Sequence, residues 1–208
     1  MPFDLWLAFV AASTALLLIP GPTVLLVLSY SLSQGKRVAL ASAGGVALGD
    51  FVAMSASLAG LGALVLTSAL AFTILKWVGA VYLVWLGLKL FLSAKTGTLQ
   101  PISATVAPAR GVFWHTAAVT ALNPKSIAFF TAFVPQFISV DRALLPQFVV
   151  LIATFVGLAA LNALAYALLA DRLRTAIARP GVTAWLARGG GATLIGMGVM
   201  TAALRRPA

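Results

Sequence analysis

The chain has 208 residues, of which 62% are hydrophobic and only 9% charged, with no cysteine and one histidine. A soluble domain carries about a quarter of its residues as Asp, Glu, Lys and Arg, so this is a membrane protein, with room for around six crossings of about 20 apolar residues and no separate soluble catalytic domain. The net charge of +10 is spread singly or in pairs between apolar runs, which excludes a nucleic-acid face and points to topology signals and anionic lipid, and the cysteine and histidine counts exclude disulfides, iron-sulfur clusters and most metal sites.

The first apolar run covers residues 5–30. It is preceded by Asp4 and by no Lys or Arg, unlike a secretory leader, and is read as a retained helix. Further runs at residues 39–65, 70–92, 112–138, 147–170 and 185–204 are each long enough for a bilayer. The expected fold is therefore all-α, a polytopic membrane protein of six helices. Thr67 and Ser68 mark the turn after the second run only weakly. The longest polar connection, at residues 94–111, contains Pro101 and Pro108 and reads as a cytoplasmic linker between halves at 1–93 and 112–208.

Nine of the fourteen Lys and Arg residues flank the first, third and fifth connections: Lys36, Arg37, Lys89, Lys95, Arg110, Arg172, Arg174, Arg179 and Arg188. The positive-inside rule then puts both termini outside. Trp6, Trp77, Trp114 and Trp185 fall near proposed helix ends, where an indole is favoured; Trp85 does not.

Shifting the sequence by 112 positions superimposes Gly45 on Gly157, Asp50 on Asn162, Lys76 on Arg188, Gly79 on Gly191 and Ala80 on Ala192. At a slightly shorter shift, residues 20–22 fall against Asn123 and Pro124. Three helices per half is an odd number, so two such halves would insert as an inverted repeat.

Pro20, Gly21 and Pro22 interrupt the first helix. A proline removes a backbone donor and clashes with the preceding turn; Pro22 can then start a new half-helix, leaving free N–H groups at Thr23 and Val24. Asn123, Pro124 and Lys125 repeat the arrangement in the fourth run, with Asn123 as N-cap. Inverted halves would bring both positive helix ends to one mid-membrane spot suited to a carboxylate. Simple proline kinks are the plain alternative.

Asp50 and Lys125 lie at membrane depth, where an isolated charge is costly, so each should face the bundle interior. Asp50 can hold a substrate ammonium or exchange a proton; Lys125 can dock a carboxylate. A buried ion pair between them is the structural alternative. Asn162, matched to Asp50, is either a site residue or a helix-helix hydrogen bond. His115, beside Trp114, reads as interfacial. Ala41, Gly45, Gly49, Ala53 and Ser57 form a small-residue stripe for close helix packing, within the chain or in a homodimer.

These features, with the segment Gly45–Asp50 (GVALGD), the run KWVGAVYLVWLG from Lys76 to Gly87, Phe129-Phe130 and Pro135-Gln136-Phe137, resemble the LysE/RhtB superfamily of bacterial amino-acid exporters. The resemblance implies a six-helix carrier of the inner membrane that exports amino acids or close derivatives, such as homoserine, threonine, leucine or lysine, against proton entry. It carries the family's site onto Pro20, Gly21, Pro22, Asp50, Asn123, Pro124 and Lys125. Thr23 departs from the Asp or Asn common there, which favours neutral substrates over dibasic ones. The expected partners are the amino acid, protons and lipid, with no cofactor and no metal. A passive channel would need rings of polar residues that these helices lack, and a membrane enzyme would need a catalytic constellation such as HExxH or paired carboxylates.

Overall fold

The computed structural model describes residues 1–19, 21–67, 69–93, 107–139, 142–170 and 180–203. All regular elements among them are helical: α1 (Phe3–Leu18), α2 (Pro22–Gln34), α3 (Lys36–Thr67), α4 (Ala69–Ser93), α5 (Ala109–Ala121), α6 (Pro124–Ala128), α7 (Leu144–Leu168) and α8 (Pro180–Ala203). The chain continues from α6 as a π turn, Phe129–Phe133, and a 3-10 turn, Val134–Phe137.

The apolar runs become these elements with shifted boundaries. α3 begins at Lys36, earlier than expected, because Gly35 at φ 79° reverses the chain in one residue. No other described residue has a positive φ, and only glycine adopts it without strain. The boundary between the second and third runs falls at the expected place, with α3 ending at Thr67 and α4 starting at Ala69. Pro108 caps α5 from Ala109 onward, so Arg110 is helical and not part of the linker. Residues 94–106 of that linker, Pro20, Asp141 and the arginines at 172, 174, 179, 205 and 206 lie outside the described residues.

Three helical segments are each long and apolar enough to cross a bilayer: Lys36–Gly62, Thr73–Leu92 and Leu144–Leu168. Two bent pairs qualify when each is taken as one segment, α1 with α2 at 57° and α5 with Pro124–Phe137 at 40°. Six crossings were expected, and the last is not among these segments: α8 spans 24 residues, but Arg188 and the glycines at 181, 189, 190, 191, 196 and 198 dilute its hydropathy.

Close contacts fix the relative helix directions. Gly45 lies against Phe113, Thr116 and Ala117, and Gly49 against Ala117, Thr120 and Ala121, so α3 and α5 run parallel. Trp6 Nε1 donates to Thr154 Oγ1 and Asn162 Nδ2 to the Leu17 carbonyl, so α1 and α7 are parallel. Gly62 faces Phe148, while Asp50 and Asn162 share a cavity, so α3 and α7 are antiparallel. Gly87 meets Gly191, and Gly198 meets Ala80 and Val84, so α4 and α8 are antiparallel as well.

The small-residue stripe of α3 is used within the chain at Gly45 and Gly49. A methyl group at Gly49 would stand 2.5 Å from the Ala117 carbonyl oxygen and 2.6 Å from Thr120 Cβ. Ser42 and Thr116, both fully buried, hydrogen-bond across the same seam at 3.3 Å. Gly157 has open space around it, so the two glycines that the repeat aligns sit in different surroundings.

Six phenylalanines fill one side of the bundle. Phe9 of α1, Phe155 of α7 and Phe129, Phe130, Phe133 and Phe137 are each no more than 3% exposed, with ring centroids 4.8–6.5 Å apart. The π turn arises next to Pro135, which has no N–H to give back to the preceding turn. Thr131 Oγ1 satisfies the Ile127 carbonyl at 2.8 Å.

Gly49→Ala should lower stability in detergent by about 1–3 kcal/mol, the usual range for overpacking. Gly157→Ala should be neutral or slightly stabilising, because alanine is the better helix former. Thermal unfolding of the two purified variants checks this. Equal midpoints for Gly49→Ala and the parent would mean that the α3–α5 seam is not tight.

Candidate functional site

The site is built where α1 stops. After Leu18 the chain leaves the helix, with Ile19 extended at φ −72° and ψ 114°. Gly21 is the N-cap of α2 and Pro22 its first residue, a position where the missing N–H of proline costs nothing. α5 stops at Ala121, with Leu122 at φ −94° and ψ 9°, and Asn123 caps α6 by accepting a hydrogen bond from the Lys125 backbone at 3.1 Å, with Pro124 first in the helix.

The two breaks touch. Asn123 Nδ2 donates to Thr23 Oγ1 at 3.2 Å, and Thr120 Oγ1 approaches the same oxygen at 3.5 Å. The N-terminus of α2 and the N-cap of α6 therefore lie side by side, joined by side chains, with Asn123 only 4% exposed.

At the end of α1 the Leu16 carbonyl accepts the Ile19 N–H at 3.3 Å, the carbonyls after it lack a helical partner, and side chains from the other half of the sequence donate to all of them. Lys125 Nζ donates to the carbonyls of Leu16 and Ile19, each at 3.0 Å. Asn162 Nδ2 reaches Leu17 at 3.1 Å, and the Tyr166 hydroxyl reaches Leu18 at 3.3 Å. The direct Lys125–Asp50 pair that the sequence offered does not form among the described residues. Asn162 likewise serves as a helix-helix hydrogen bond, and at the same time it faces the cavity.

Between these elements lies a small cavity of about 30 Å³. Thr23, Asp50, Asn123, Lys125, Ser126, Asn162 and Tyr166 supply its polar wall, and Leu16, Val24, Val27, Val46 and Ala159 are among its apolar lining. Asp50 is 3% exposed, and its Oδ1 is buried without a hydrogen-bond partner. A buried carboxylate oxygen in that condition is costly unless a cation or a proton meets it. Phe9 precedes Leu16 by seven residues and Phe155 precedes Asn162 by seven, so these two rings of the phenylalanine cluster lie about 10 Å along α1 and α7 from the cavity lining.

Of the residues expected from sequence, Thr23, Asp50, Asn123, Lys125 and Asn162 line this cavity. Gly21, Pro22 and Pro124 shape the helix ends beside it. Pro20 lies outside the described residues. Sequence reasoning missed Ser126 and Tyr166. Tyr166 follows Asn162 by four residues and so shares its helix face; that spacing was the available signal. His115 is exposed near the start of α5, as an interfacial residue would be, and its Nδ1 is hydrogen-bonded to the Tyr30 hydroxyl at 2.8 Å.

The family pattern of LysE type translocators matches residues 14–204. The homoserine/homoserine lactone efflux protein of Salmonella typhimurium is 34% identical over 205 residues, 99% of each chain. The leucine efflux protein of Klebsiella pneumoniae is 31% identical over 128 residues, 62% of this chain and 60% of its own. An uncharacterized membrane protein of Vibrio cholerae is 34% identical over 97% of this chain and 98% of its own. No solved structure matches the chain. The match runs through both helix breaks and through every helix that lines the cavity, and the chain is a multi-pass membrane protein that belongs to the LysE type translocator family.

Proposed function

We propose that this protein is a secondary carrier that exports small neutral amino acids, of the homoserine, threonine or leucine kind, across the bacterial inner membrane in exchange for protons. The observation that carries this reading is the polar cavity at the two helix breaks, with Asp50 Oδ1 buried and unpartnered in an apolar bundle. A zwitterionic amino acid brings an ammonium and a carboxylate. The ammonium takes Asp50. The carboxylate takes the first-turn N–H groups of α2, which a helix leaves free, with the Thr23 hydroxyl, the Asn123 amide and the Lys125 charge close by.

Asp50 then alternates between two cations, the substrate ammonium and a proton, and that alternation couples export to proton entry. The printed names of the relatives, homoserine/homoserine lactone efflux and leucine efflux, agree with a neutral cargo. Thr23 agrees too, since it is uncharged where a dibasic cargo would call for a second acid.

The helix directions support six crossings in alternate senses, with α1–α2 and the α5–Phe137 segment counted as one crossing each. The antiparallel pairs α3–α7 and α4–α8 support two inverted halves, residues 1–93 and 112–208. The distribution of Lys and Arg supports termini on the outside. In that orientation the phenylalanine cluster lies on the outer side of the cavity.

The deciding experiment is efflux of a panel of labelled amino acids from proteoliposomes with and without an imposed pH gradient. Saturable, gradient-driven export with counterflow is expected for homoserine, threonine or leucine; non-saturating flux without counterflow would instead mean a pore. Asp50→Asn should reduce gradient-driven export at least about tenfold, the factor given by about 1.4 kcal/mol of lost interaction, with unchanged membrane insertion. Undiminished coupled flux in that variant would remove Asp50 from the mechanism. Thr23→Asp should shift preference toward lysine and arginine by about tenfold, on the same scale of one added charge interaction. An unaltered substrate profile, read in the same panel, would show that Thr23 does not face the cargo side chain.

A further inference from the structure

The end of α1 presents four successive carbonyls, Leu16, which also accepts the Ile19 N–H at 3.3 Å, Leu17, Leu18 and Ile19, and two of them point at one ammonium. Lys125 Nζ lies 3.0 Å from the Leu16 oxygen and 3.0 Å from the Ile19 oxygen, using two of its three N–H donors. The lysine comes from more than a hundred residues away, on α6. It approaches the negative end of a 16-residue helix dipole, where a cation is favoured. Gly21 packs beside the ammonium: a methyl group there would stand 3.6 Å from Nζ, an ordinary van der Waals contact. Asn162 and Tyr166 hold the carbonyls between, so the cluster is organised around Nζ and is not a chance contact.

Carbonyls freed at the C-terminal end of an interrupted helix are the groups with which many carriers coordinate a free monovalent cation. We propose that the broken end of α1 is such a cation site, and that this chain fills it permanently with its own side chain, the Lys125 ammonium acting as a tethered counter-ion. A primary ammonium matches the site because it donates hydrogen bonds to several carbonyls at once. A tethered cation cannot dissociate, so the two halves stay joined across the break without drawing on an ion gradient. Among the described residues the other titratable groups on the cavity wall are Asp50 from α3 and Tyr166 from α7. Tyr166 donates to Leu18, and Asp50 stands across the cavity wall as the only acid there.

Removing the tether leaves a vacant cation site that a free cation of the right chemistry should refill. The test uses full-length Lys125→Ala in detergent, with thermal unfolding followed in ethylammonium, tetramethylammonium and sodium chlorides at equal ionic strength. Ethylammonium supplies the missing N–H donors; tetramethylammonium carries the charge and none of them. Ethylammonium should raise the Tm of Lys125→Ala by about 2–4 °C or more in a saturable manner, should leave the parent unaffected, and should act where tetramethylammonium does not. Sodium acting as well as ethylammonium also supports a cation site. If Lys125→Ala fails to fold, ethylammonium present during solubilisation should recover folded protein. Equal effects of ethylammonium and tetramethylammonium, equal effects on parent and variant, or no recovery would overturn the proposal, as would a Lys125→Met protein as stable as the parent. The readout is stability and not flux, so the site stands or falls separately from the export reading.

Discussion

The structure depends on satisfying the backbone at the end of α1. Inside a membrane no water is at hand for freed carbonyls, and each one left bare costs several kcal/mol. A helix that stops in mid-bundle is therefore tolerated only where other groups reach it. Here the donors are Lys125, Asn162 and Tyr166, all from the second half of the chain. The break and its repair lie in different halves, so the cavity exists only when those halves are assembled.

The same economy explains the polarity of the cavity wall. Asn123 caps its own helix with one end of its amide and binds Thr23 with the other. Lys125 and Asn162 spend hydrogen bonds on α1 while facing the cavity. Asp50 stands apart, with a buried oxygen that no group among the described residues meets with a hydrogen bond. The wall is thus largely self-satisfied, with one unsatisfied acid, which is how a binding group differs in energy from a structural one.

Much of this was legible in the sequence because proline, glycine and buried charge act locally or at high cost. Both breaks could be located from Pro22 and Pro124 alone, and Asp50, Lys125 and Asn162 could be singled out by their depth. Their partners could not. Whether Lys125 turns to a carboxylate or to a helix end depends on which backbone faces it, and that is set by the packing of distant helices. Tyr166 went unnoticed because a tyrosine near a helix end ordinarily reads as interfacial. The run to residue 138 reads as one helix beyond the break, yet Pro135 changes its winding to π and then 3-10. Letter matching also paired Gly45 with Gly157, although one lies under α5 and the other in open space.

Gly35 has a mechanical consequence. It joins α2 to the 32-residue α3 without a loop, so the two helices form a stiff elbow with no slack. Thr23 is twelve residues from the bend on one arm, and Asp50 is fifteen residues from it on the other, about 18 and 22 Å at helical rise. A pivot of about ten degrees at one glycine moves the tip of an 18 Å arm by about 3 Å. The elbow thereby ties the spacing of Thr23 and Asp50 to a single backbone torsion at the membrane edge.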